Sequence, residues 1–358
     1  MKQYLKVLIG GALAAMACAC SKPESPEIPT LNIAANINCE NKGSLNDIFD
    51  FKGILEPELT DSTLLSYANV RGIYGKNIYI QEDNRLMVFN IADGKCVSSI
   101  DRTGQGPEDY VMLYFAYPSP GNGDWVAWDI RGHKIVRYKP DGEFAGAYPA
   151  DIECICPDGN NRWAAQKNVA EGENQVIYTY DDNFVLIDSI ETPLKRYFMT
   201  VNTIFPFNEQ PSLPAGDTLY VVTPQNQFTP TVAFSLGSYL SPNYKENEFD
   251  KMIAERNKYI YYSFFGAGKV AGIIYQFDNK RTLQFYSLAD NSLLFSLSAP
   301  KDEFFEGFTF DAGGMTYKVV PMEHQPSDDT FFFRLADDDT DAESNPKIMM
   351  LKLKAQYS

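Results

Sequence analysis

Short strand-like segments recur along this sequence at an interval of about fifty residues. Three segments align with one another, Asn77–Ile100, Asp124–Tyr148 and Val270–Leu297, and a looser copy runs from Arg162 to Ile190. Each unit consists of a strand, a polar turn, a strand, an Asp-Gly or Asp-Asn turn and another strand, and these dipeptides suit tight hairpins. A period of about 40–55 residues with three or four strands per unit is typical of a β-propeller.

Hairpin markers give the number of units. Five occur inside the chain, namely Asp93-Gly94, Asp141-Gly142, Asp182-Asn183, Gly237 and Asp290-Asn291. A sixth unit follows, with three strand-like runs at Gly313–Val320, Thr330–Leu335 and Lys347–Leu353. Because this unit lacks a fourth strand and Ile48–Leu55 is a surplus one, we expect the two chain ends to share the last blade and close the ring. The sequence therefore predicts an all-β, six-bladed β-propeller, with a pair of β-sandwiches as the structural alternative.

Residue composition agrees with a β-rich fold. Aromatic residues make up 14% of the chain, with 24 Phe and 22 Tyr, and such residues favour strands. The one helix candidate is Glu246–Lys258, where a charged run surrounds Met252 and Ile253.

The N-terminus reads as an export signal. Lys2 and Lys6 precede an apolar run from Val7 to Ala17, about half the ~20 residues needed to span a bilayer. The run ends in Ala-Cys-Ala-Cys-Ser, and small residues before a cysteine resemble the lipobox of bacterial lipoproteins. Cys20 is the favoured lipidated residue because a polar stretch follows it, Cys18 is the alternative, and a plain secretory signal is the competing interpretation. This division gives a signal peptide at 1–19, a tether with an N-terminal strand at 20–43, and the propeller at 44–358.

Four cysteines remain besides that anchor: Cys39, Cys96, Cys154 and Cys156. Four in about 340 residues do not form a disulfide framework. Cys154 and Cys156 are two apart, so on a strand they share one face. We interpret both as small buried residues.

The net charge and the absence of common catalytic motifs disfavour several classes of function. With 31 Lys and Arg against 47 Asp and Glu, the formal net charge is −16, which disfavours electrostatic binding to nucleic acid or to an anionic membrane. The chain lacks the serine-hydrolase elbow, zinc-protease, P-loop and Cys-x-x-Cys motifs. Its two histidines, His133 and His324, are interpreted as surface residues, and the acidic run Asp337–Glu343 as a solvated loop. We therefore expect no metal, no cofactor and no catalytic residue, although carboxylate-pair chemistry needs no sequence motif.

Several short motifs carry a family resemblance. They are Ile48-Phe-Asp-Phe51, Leu59–Leu65, Ile78–Ile80, Gly104-Gln-Gly-Pro-Glu-Asp-Tyr110 and the closing segment Asn345–Lys354. Together they resemble the six-bladed β-propeller lipoproteins of Gram-negative gut anaerobes, which are similar in form to NHL-repeat and TolB-like propellers. The resemblance covers nearly the whole mature chain and departs from the family around Asn208–Asn257. It implies the fold, acylation and an envelope location, and little about chemistry.

In propellers, ligands usually bind over the axial channel, on the face that carries the blade-to-blade connections. We expect that face to collect the first such connection, the helix candidate and turns that include Pro224–Phe228. Gly104, Gly106 and Pro107 suit a sharp crossing between blades and need no ligand to explain them. The candidate ligand-binding residues are Arg102, Gln105, Glu108, Tyr110, Arg131 and Arg196. The competing interpretation is that the crossing is purely structural and that Arg102 and Glu108 pair with each other.

The sequence thus favours a monomeric binding or interaction module, tethered by lipid to the outer membrane and facing either the periplasm or the cell surface. A glycan, a peptide or a partner envelope protein could be its ligand. The alternative is a propeller hydrolase, lyase or lactonase with its site at the axial channel.

Overall fold

The computed structural model describes residues 28–197, 203–300, 308–322, 329–336 and 344–358. Most of these residues lie in β-strands. The first described segment, residues 28–55, contains three strands, a 3-10 turn at Ala34–Asn36 and a short helix, and we call it the N-terminal belt. Its elements are β1 (Thr30–Leu31), β2 (Asn41–Lys42), helix α1 (Leu45–Ile48) and β3 (Phe49–Leu55).

Six sheets follow one another along the chain, and each contains an antiparallel meander of four consecutive strands. Blade 1 consists of β4 (Asn69–Tyr74), β5 (Asn77–Glu82), β6 (Arg85–Asn90) and β7 (Cys96–Ile100). Blade 2 consists of β8 (Leu113–Pro118), β9 (Trp125–Asp129), β10 (Lys134–Tyr138) and β11 (Phe144–Pro149). Blade 3 consists of β12 (Ile152–Asp158), β13 (Arg162–Lys167), β14 (Asn174–Tyr180) and β15 (Leu186–Lys195).

The other three blades are built in the same way. Blade 4 consists of β16 (Phe205–Phe207), β17 (Gln210–Ala215), β18 (Thr218–Val222) and β19 (Phe228–Phe234). Helix α2 (Phe249–Glu255) follows, between 3-10 turns at Glu246–Glu248 and Arg256–Lys258, which confirms the predicted helical segment. Blade 5 consists of β20 (Tyr261–Ala267), β21 (Val270–Phe277), β22 (Lys280–Ser287) and β23 (Leu293–Pro300). Blade 6 consists of β24 (Phe308–Ala312), β25 (Met315–Pro321), β26 (Thr330–Leu335) and β27 (Ile348–Leu353).

The sheets form a six-bladed β-propeller, as the repeat predicts. First strands of neighbouring blades contact each other, β4 with β8, β8 with β12, β12 with β16 and β16 with β20, so they surround the axis. The fourth strand of each blade lies at the rim. Apolar clusters fill the spaces between neighbouring blades, and the three tryptophans, Trp125, Trp128 and Trp163, are among the largest fully buried side chains.

Both chain ends share blade 6, as predicted, but in a different way. Antiparallel pairing of β3 with β27 joins the N-terminal strand to the C-terminal one. The blade already has four strands of its own, however, so β3 is a fifth strand and not the missing fourth. The sequence-based count overlooked β24, in which Phe308, Phe310 and Ala312 are buried while Thr309 and Asp311 are exposed. A five-residue strand with that alternation is short enough to resemble a loop in sequence.

The N-terminal belt runs along the outer edges of three successive blades. Strand β1 pairs in parallel with β19 of blade 4, β2 pairs antiparallel with β23 of blade 5, and β3 covers blade 6. Leu31 and Ile33 are fully buried against blades 4 and 5. Ser44 begins helix α1 with a capping box that is completed by Asp47. The belt therefore covers sheet edges that would otherwise present unpaired backbone groups.

One face of the propeller carries the blade-to-blade connections and the turns between second and third strands; we call it the crossover face. The expectation that Pro224–Phe228 lies there is wrong, because residues 223–227 join the third and fourth strands of blade 4 and so lie on the opposite face. The misplacement has a local cause. Strand β16 has only three residues, and β17 contains Pro211 and Pro214, which in sequence argue against a strand.

Candidate functional site

The connection from β7 to β8, which carries four of the predicted site residues, is a packed structural crossing. Arg102 and Glu108 form an ion pair of 2.6 Å. Beneath them Tyr110 is fully buried; its hydroxyl donates to the Asn84 carbonyl oxygen at 2.6 Å and accepts from the Arg102 backbone N–H at 3.0 Å. Burial raises the pKa of Tyr110 to about 12, so the hydroxyl stays neutral. The Tyr138 hydroxyl also donates to the Glu108 carbonyl oxygen, at 2.5 Å.

The glycines of this crossing are required for space. Neither Gly104 nor Gly106 has a positive φ angle. A Cβ atom at Gly104 would lie 2.5 Å from the Asp109 Oδ2 atom, and one at Gly106 would lie 2.7 Å from it. That oxygen accepts a hydrogen bond from the Gly106 N–H at 2.9 Å. The Asp109 carboxylate thus folds back over both glycines and holds the loop closed.

The other predicted residues lie apart from that ion pair. Gln105 is exposed in the same crossing, and Arg131 is exposed in the turn between β9 and β10 of blade 2. His133 lies in that turn with a positive φ of 49° and is exposed, as expected of a surface histidine. Arg196 follows blade 3 and pairs with Glu153 at 2.7 Å. Partial burial raises the pKa of Glu153, and the positive charge of Arg196 opposes that rise.

Some predicted features lie outside the described residues. They are Cys18, Cys20, His324 and the acidic run 337–343. Of the other cysteines, Cys154 and Cys156 are fully buried and unpaired, which confirms their interpretation. Burial raises the pKa of Cys154 to about 12, so this thiol is not ionised at neutral pH.

A different feature of the crossover face is the candidate site. A cavity of about 460 Å³ opens between blades 4 and 5 and extends to Phe115 and Tyr117 on the first strand of blade 2. None of the six residues predicted from sequence lines it. We call it the insert cavity, because the long connection between β19 and β20 forms its roof.

That connection, residues 235–260, is the helical insert. A bridge between Leu240 and Ile260 closes residues 240–260 of this 26-residue connection into a loop over the face. Met252 of helix α2 is buried and faces the cavity, whereas Ile253 beside it is 43% exposed. The Tyr244 hydroxyl donates to the Glu255 carboxylate at 2.9 Å, which fixes the chain before the helix to the helix end.

The wall of the insert cavity is aromatic and almost free of charge. Nine of its 25 lining residues are Phe or Tyr, against 14% in the whole chain, and none is Asp, Glu, Lys or His. Arg281 is the charged residue among them. The Tyr262 hydroxyl donates to the Gly216 carbonyl oxygen at 3.0 Å, which joins blade 5 to blade 4 at the wall. Leu240 and Tyr261 line the cavity and are each 37% exposed, so they mark its mouth.

Two buried tyrosines of this wall, Tyr117 and Tyr275, are not set up as bases. Burial raises the pKa of Tyr275 to about 12 and raises that of Tyr117 further. Both hydroxyls therefore remain protonated at neutral pH and serve as neutral hydrogen-bonding groups. Among the described residues there is no group of three His, Cys, Asp or Glu side chains that could hold a metal ion. Within the same residues, no helix has both the length and the apolar character needed to cross a membrane.

Comparison with known proteins places the chain in a family. The model of DUF4934, a domain of unknown function, matches residues 28–354. The chain belongs to the DUF4934 family. The match begins in the N-terminal belt and ends just after β27, so the family unit contains both strands that close the ring. None of the curated proteins matches this DUF4934 chain.

Solved structures share its fold at low sequence identity. A Bacteroides fragilis protein described as exported has a TM-score of 0.68 and 16% identity, over 92% of this chain and 100% of that chain. A DUF4221 family member from Bacteroides vulgatus has a TM-score of 0.57 and 12% identity, over 86% and 98%. The virginiamycin B lyase from Staphylococcus aureus aligns at 14% identity over 85% and 100% with a TM-score of 0.40, too low to inform on chemistry.

The sequence predicts that the helix lies on the crossover face, but it does not indicate the cavity beneath that helix. The polar motif Gly104–Tyr110 is the more conspicuous feature of the sequence, and the structure explains it by packing. One available signal was length, because the 26-residue insert is much longer than the two residues, 150 and 151, that join blades 2 and 3. Long connections in compact folds are often functional.

Proposed function

We propose that this protein is an envelope-anchored binding protein that holds a small ligand with an apolar or aromatic body in the insert cavity. The observation that carries the proposal is the aromatic wall beneath the helical insert. Its volume of about 460 Å³ lies in the range of small-molecule sites, which are concave, mostly apolar and furnished with a few polar groups. Burial of an apolar ligand surface there contributes about 25 cal/mol per Å².

Binding fits the chemistry of the wall better than catalysis does. Hydrolases and lyases need a positioned acid, base or nucleophile. The lining residues that the structure describes include no carboxylate and no histidine, and burial keeps Tyr117 and Tyr275 protonated. The remaining hydroxyl and amide groups, such as those of Ser263 and Gln276, can orient a ligand by hydrogen bonds.

The envelope location rests on the N-terminus and on a structural relative. The Bacteroides fragilis protein of the same fold is described as exported. If Cys20 carries the lipid, Thr30 in β1 follows it by ten positions. Such a segment spans at most about 35 Å, so the rim of blade 4 would lie close to the membrane.

Metabolic labelling with a fatty-acid analogue tests the anchor. The wild-type protein should incorporate the label, and a variant with both Cys18→Ala and Cys20→Ala should not, because no acceptor thiol remains at the lipobox. Single variants separate the two positions: loss with Cys20→Ala alone identifies Cys20. Label retained by the double variant contradicts the lipid anchor.

Binding of a neutral aromatic probe tests the cavity. N-phenyl-1-naphthylamine fluoresces strongly in apolar sites, and we expect the wild type to bind it with saturation. Ser263 lines the cavity from an exposed position on β20. Ser263→Trp should fill the cavity and weaken binding at least tenfold, whereas Ser263→Ala should bind like wild type. Equal binding by the Trp variant and wild type would rule out the insert cavity as the site.

A further inference from the structure

Arg71 is a buried cation that has no hydrogen-bonding or ionic partner among the described residues. It lies on β4, the first strand of blade 1, at an irregularity in the pairing with β5, and is 8% exposed. Its Nε and Nη1 atoms are buried and have no hydrogen-bond partner. Burial lowers the pKa of Arg71, and no carboxylate acts on the group to oppose this. An arginine nonetheless stays charged at neutral pH.

The same fold contains a buried arginine that is fully paired. Arg137 on β10 is 6% exposed. Its Nε donates to Asp124 at 2.8 Å, its Nη2 to the Asp182 carboxylate at 3.0 Å and its Nη1 to the Asp182 carbonyl oxygen at 2.7 Å. Buried charges in proteins are normally satisfied in this way because an unpaired one is costly. Arg71 lacks that arrangement among the residues that the structure describes.

Arg71 is not itself a lining residue of the insert cavity, but it lies beside two side chains that are. Its guanidinium carbon is 5.8 Å from the ring centroid of Phe115. Tyr117 is also near enough to influence the pKa of Arg71. Phe115 and Tyr117 both line the cavity. The cationic group and the aromatic wall therefore meet at the same two side chains.

The described residues that line the cavity include no acidic side chain. The charged residue among them is Arg281, although the whole chain has a net charge of −16. A buried cation beside a mostly apolar cavity favours a ligand of negative charge. A guanidinium presents a planar fork of donors that fits a carboxylate or a similar oxyanion.

We propose that Arg71 binds the anionic group of an organic acid whose apolar or aromatic body occupies the insert cavity. The inference rests on the proposed function, since it names the charge of the ligand that the cavity holds. Phe115 would form the boundary between the two halves of the site, with its face toward the cation.

Two probes that share one skeleton provide the test. N-phenyl-1-naphthylamine is neutral, and 8-anilinonaphthalene-1-sulfonate adds one sulfonate to the same ring system. We expect wild type to bind the sulfonate probe more tightly than the neutral one. Arg71→Met should weaken the sulfonate probe roughly tenfold to a hundredfold and leave the neutral probe unchanged, because a charged hydrogen bond is lost.

The outcomes separate the two proposals. If Arg71→Met leaves the affinity ratio of the two probes unchanged, the anion site is wrong while the cavity stands. If Ser263→Trp changes the affinity of neither probe, the proposed function itself is wrong. If Ser263→Trp weakens both and Arg71→Met weakens only the sulfonate probe, both proposals are supported.

Stability of the ligand-free protein supplies a second readout. Arg71→Met removes an unpaired charge, so its melting temperature should equal or exceed that of wild type. Arg137→Met is the matched control and should melt well below wild type, because it leaves Asp124 and Asp182 unpaired. If Arg71→Met melts as low as Arg137→Met, Arg71 has a structural role and the anion site is overturned.

Discussion

At the residue scale, acidic side chains of the crossover face accept hydrogen bonds from backbone N–H groups and are therefore not available to a ligand. The Glu82 carboxylate accepts from the N–H groups of Ser66 at 2.8 Å and Ala68 at 2.9 Å. Asp129 is fully buried and accepts from Val111 and Met112, each at 3.0 Å. These contacts join residues 14 to 18 positions apart, so sequence alone cannot distinguish such carboxylates from ligand-binding ones.

A glycine substitution tests the structural role of the first crossing. Gly106→Ala should lower the free energy of unfolding by about 1–2 kcal/mol, because the new Cβ atom displaces the Asp109 carboxylate from 2.7 Å. Gly121→Ala is the control, since the nearest atom to its Cβ, in Asn161, is at 3.7 Å. Urea unfolding followed by tryptophan fluorescence measures both. A Gly106→Ala variant as stable as Gly121→Ala would show that Asp109 does not hold the loop.

At the element scale, the N-terminal belt closes the ring, and hydrogen bonds beside it reinforce that closure. Asn345, just before β27, strengthens the closure: its Oδ1 accepts from the Leu65 N–H at 2.8 Å, and its Nδ2 donates to the carbonyl oxygens of Glu58 and Thr63, each at 3.0 Å. The segment after β3 is thereby tied to the segment before β27. Thr63 and Asn345 belong to two of the motifs that carry the family resemblance, Leu59–Leu65 and Asn345–Lys354.

Truncation tests the contribution of the belt. A chain that starts at Ser44 loses β1 and β2, with the buried Leu31 and Ile33, and should lose several kcal/mol of stability at about 1.5–3 kcal/mol per buried side chain. A chain that starts at Leu64 also loses β3 and should not fold cooperatively. A chain that starts at Ile28 keeps the whole belt and is the control. If the Ser44 chain unfolds at the same urea concentration as the control, β1 and β2 do not stabilise the propeller.

The sequence was informative about elements wherever local pattern decides structure. Asp-Gly turns and alternating apolar residues located the blades, and the charged run around Met252 located helix α2. Prolines in β17 and the shortness of β16 and β24 concealed those strands because the local signal was weak. The site was harder to foresee: Arg71, Phe115 and Ser263 are far apart in sequence, and only the closed ring brings their strands around one axis.

At the scale of the whole molecule, the propeller combines a ring whose last blade is joined by the N-terminal strand β3 with a long insert on the crossover face. The belt stabilises blades 4, 5 and 6, and the insert stands on blades 4 and 5, so the cavity is built on the part of the ring that the belt covers. Rigid support of this kind suits a site that is formed before its ligand arrives.

The most direct measurement is a crystal structure of the wild-type protein with 8-anilinonaphthalene-1-sulfonate. The naphthalene ring should lie beneath helix α2, against Tyr262 and Phe264, and the sulfonate should lie within hydrogen-bond distance of the Arg71 guanidinium. A probe found instead at the crossing around Arg102 and Glu108, or anywhere outside the insert cavity, would contradict the binding site proposed for this propeller.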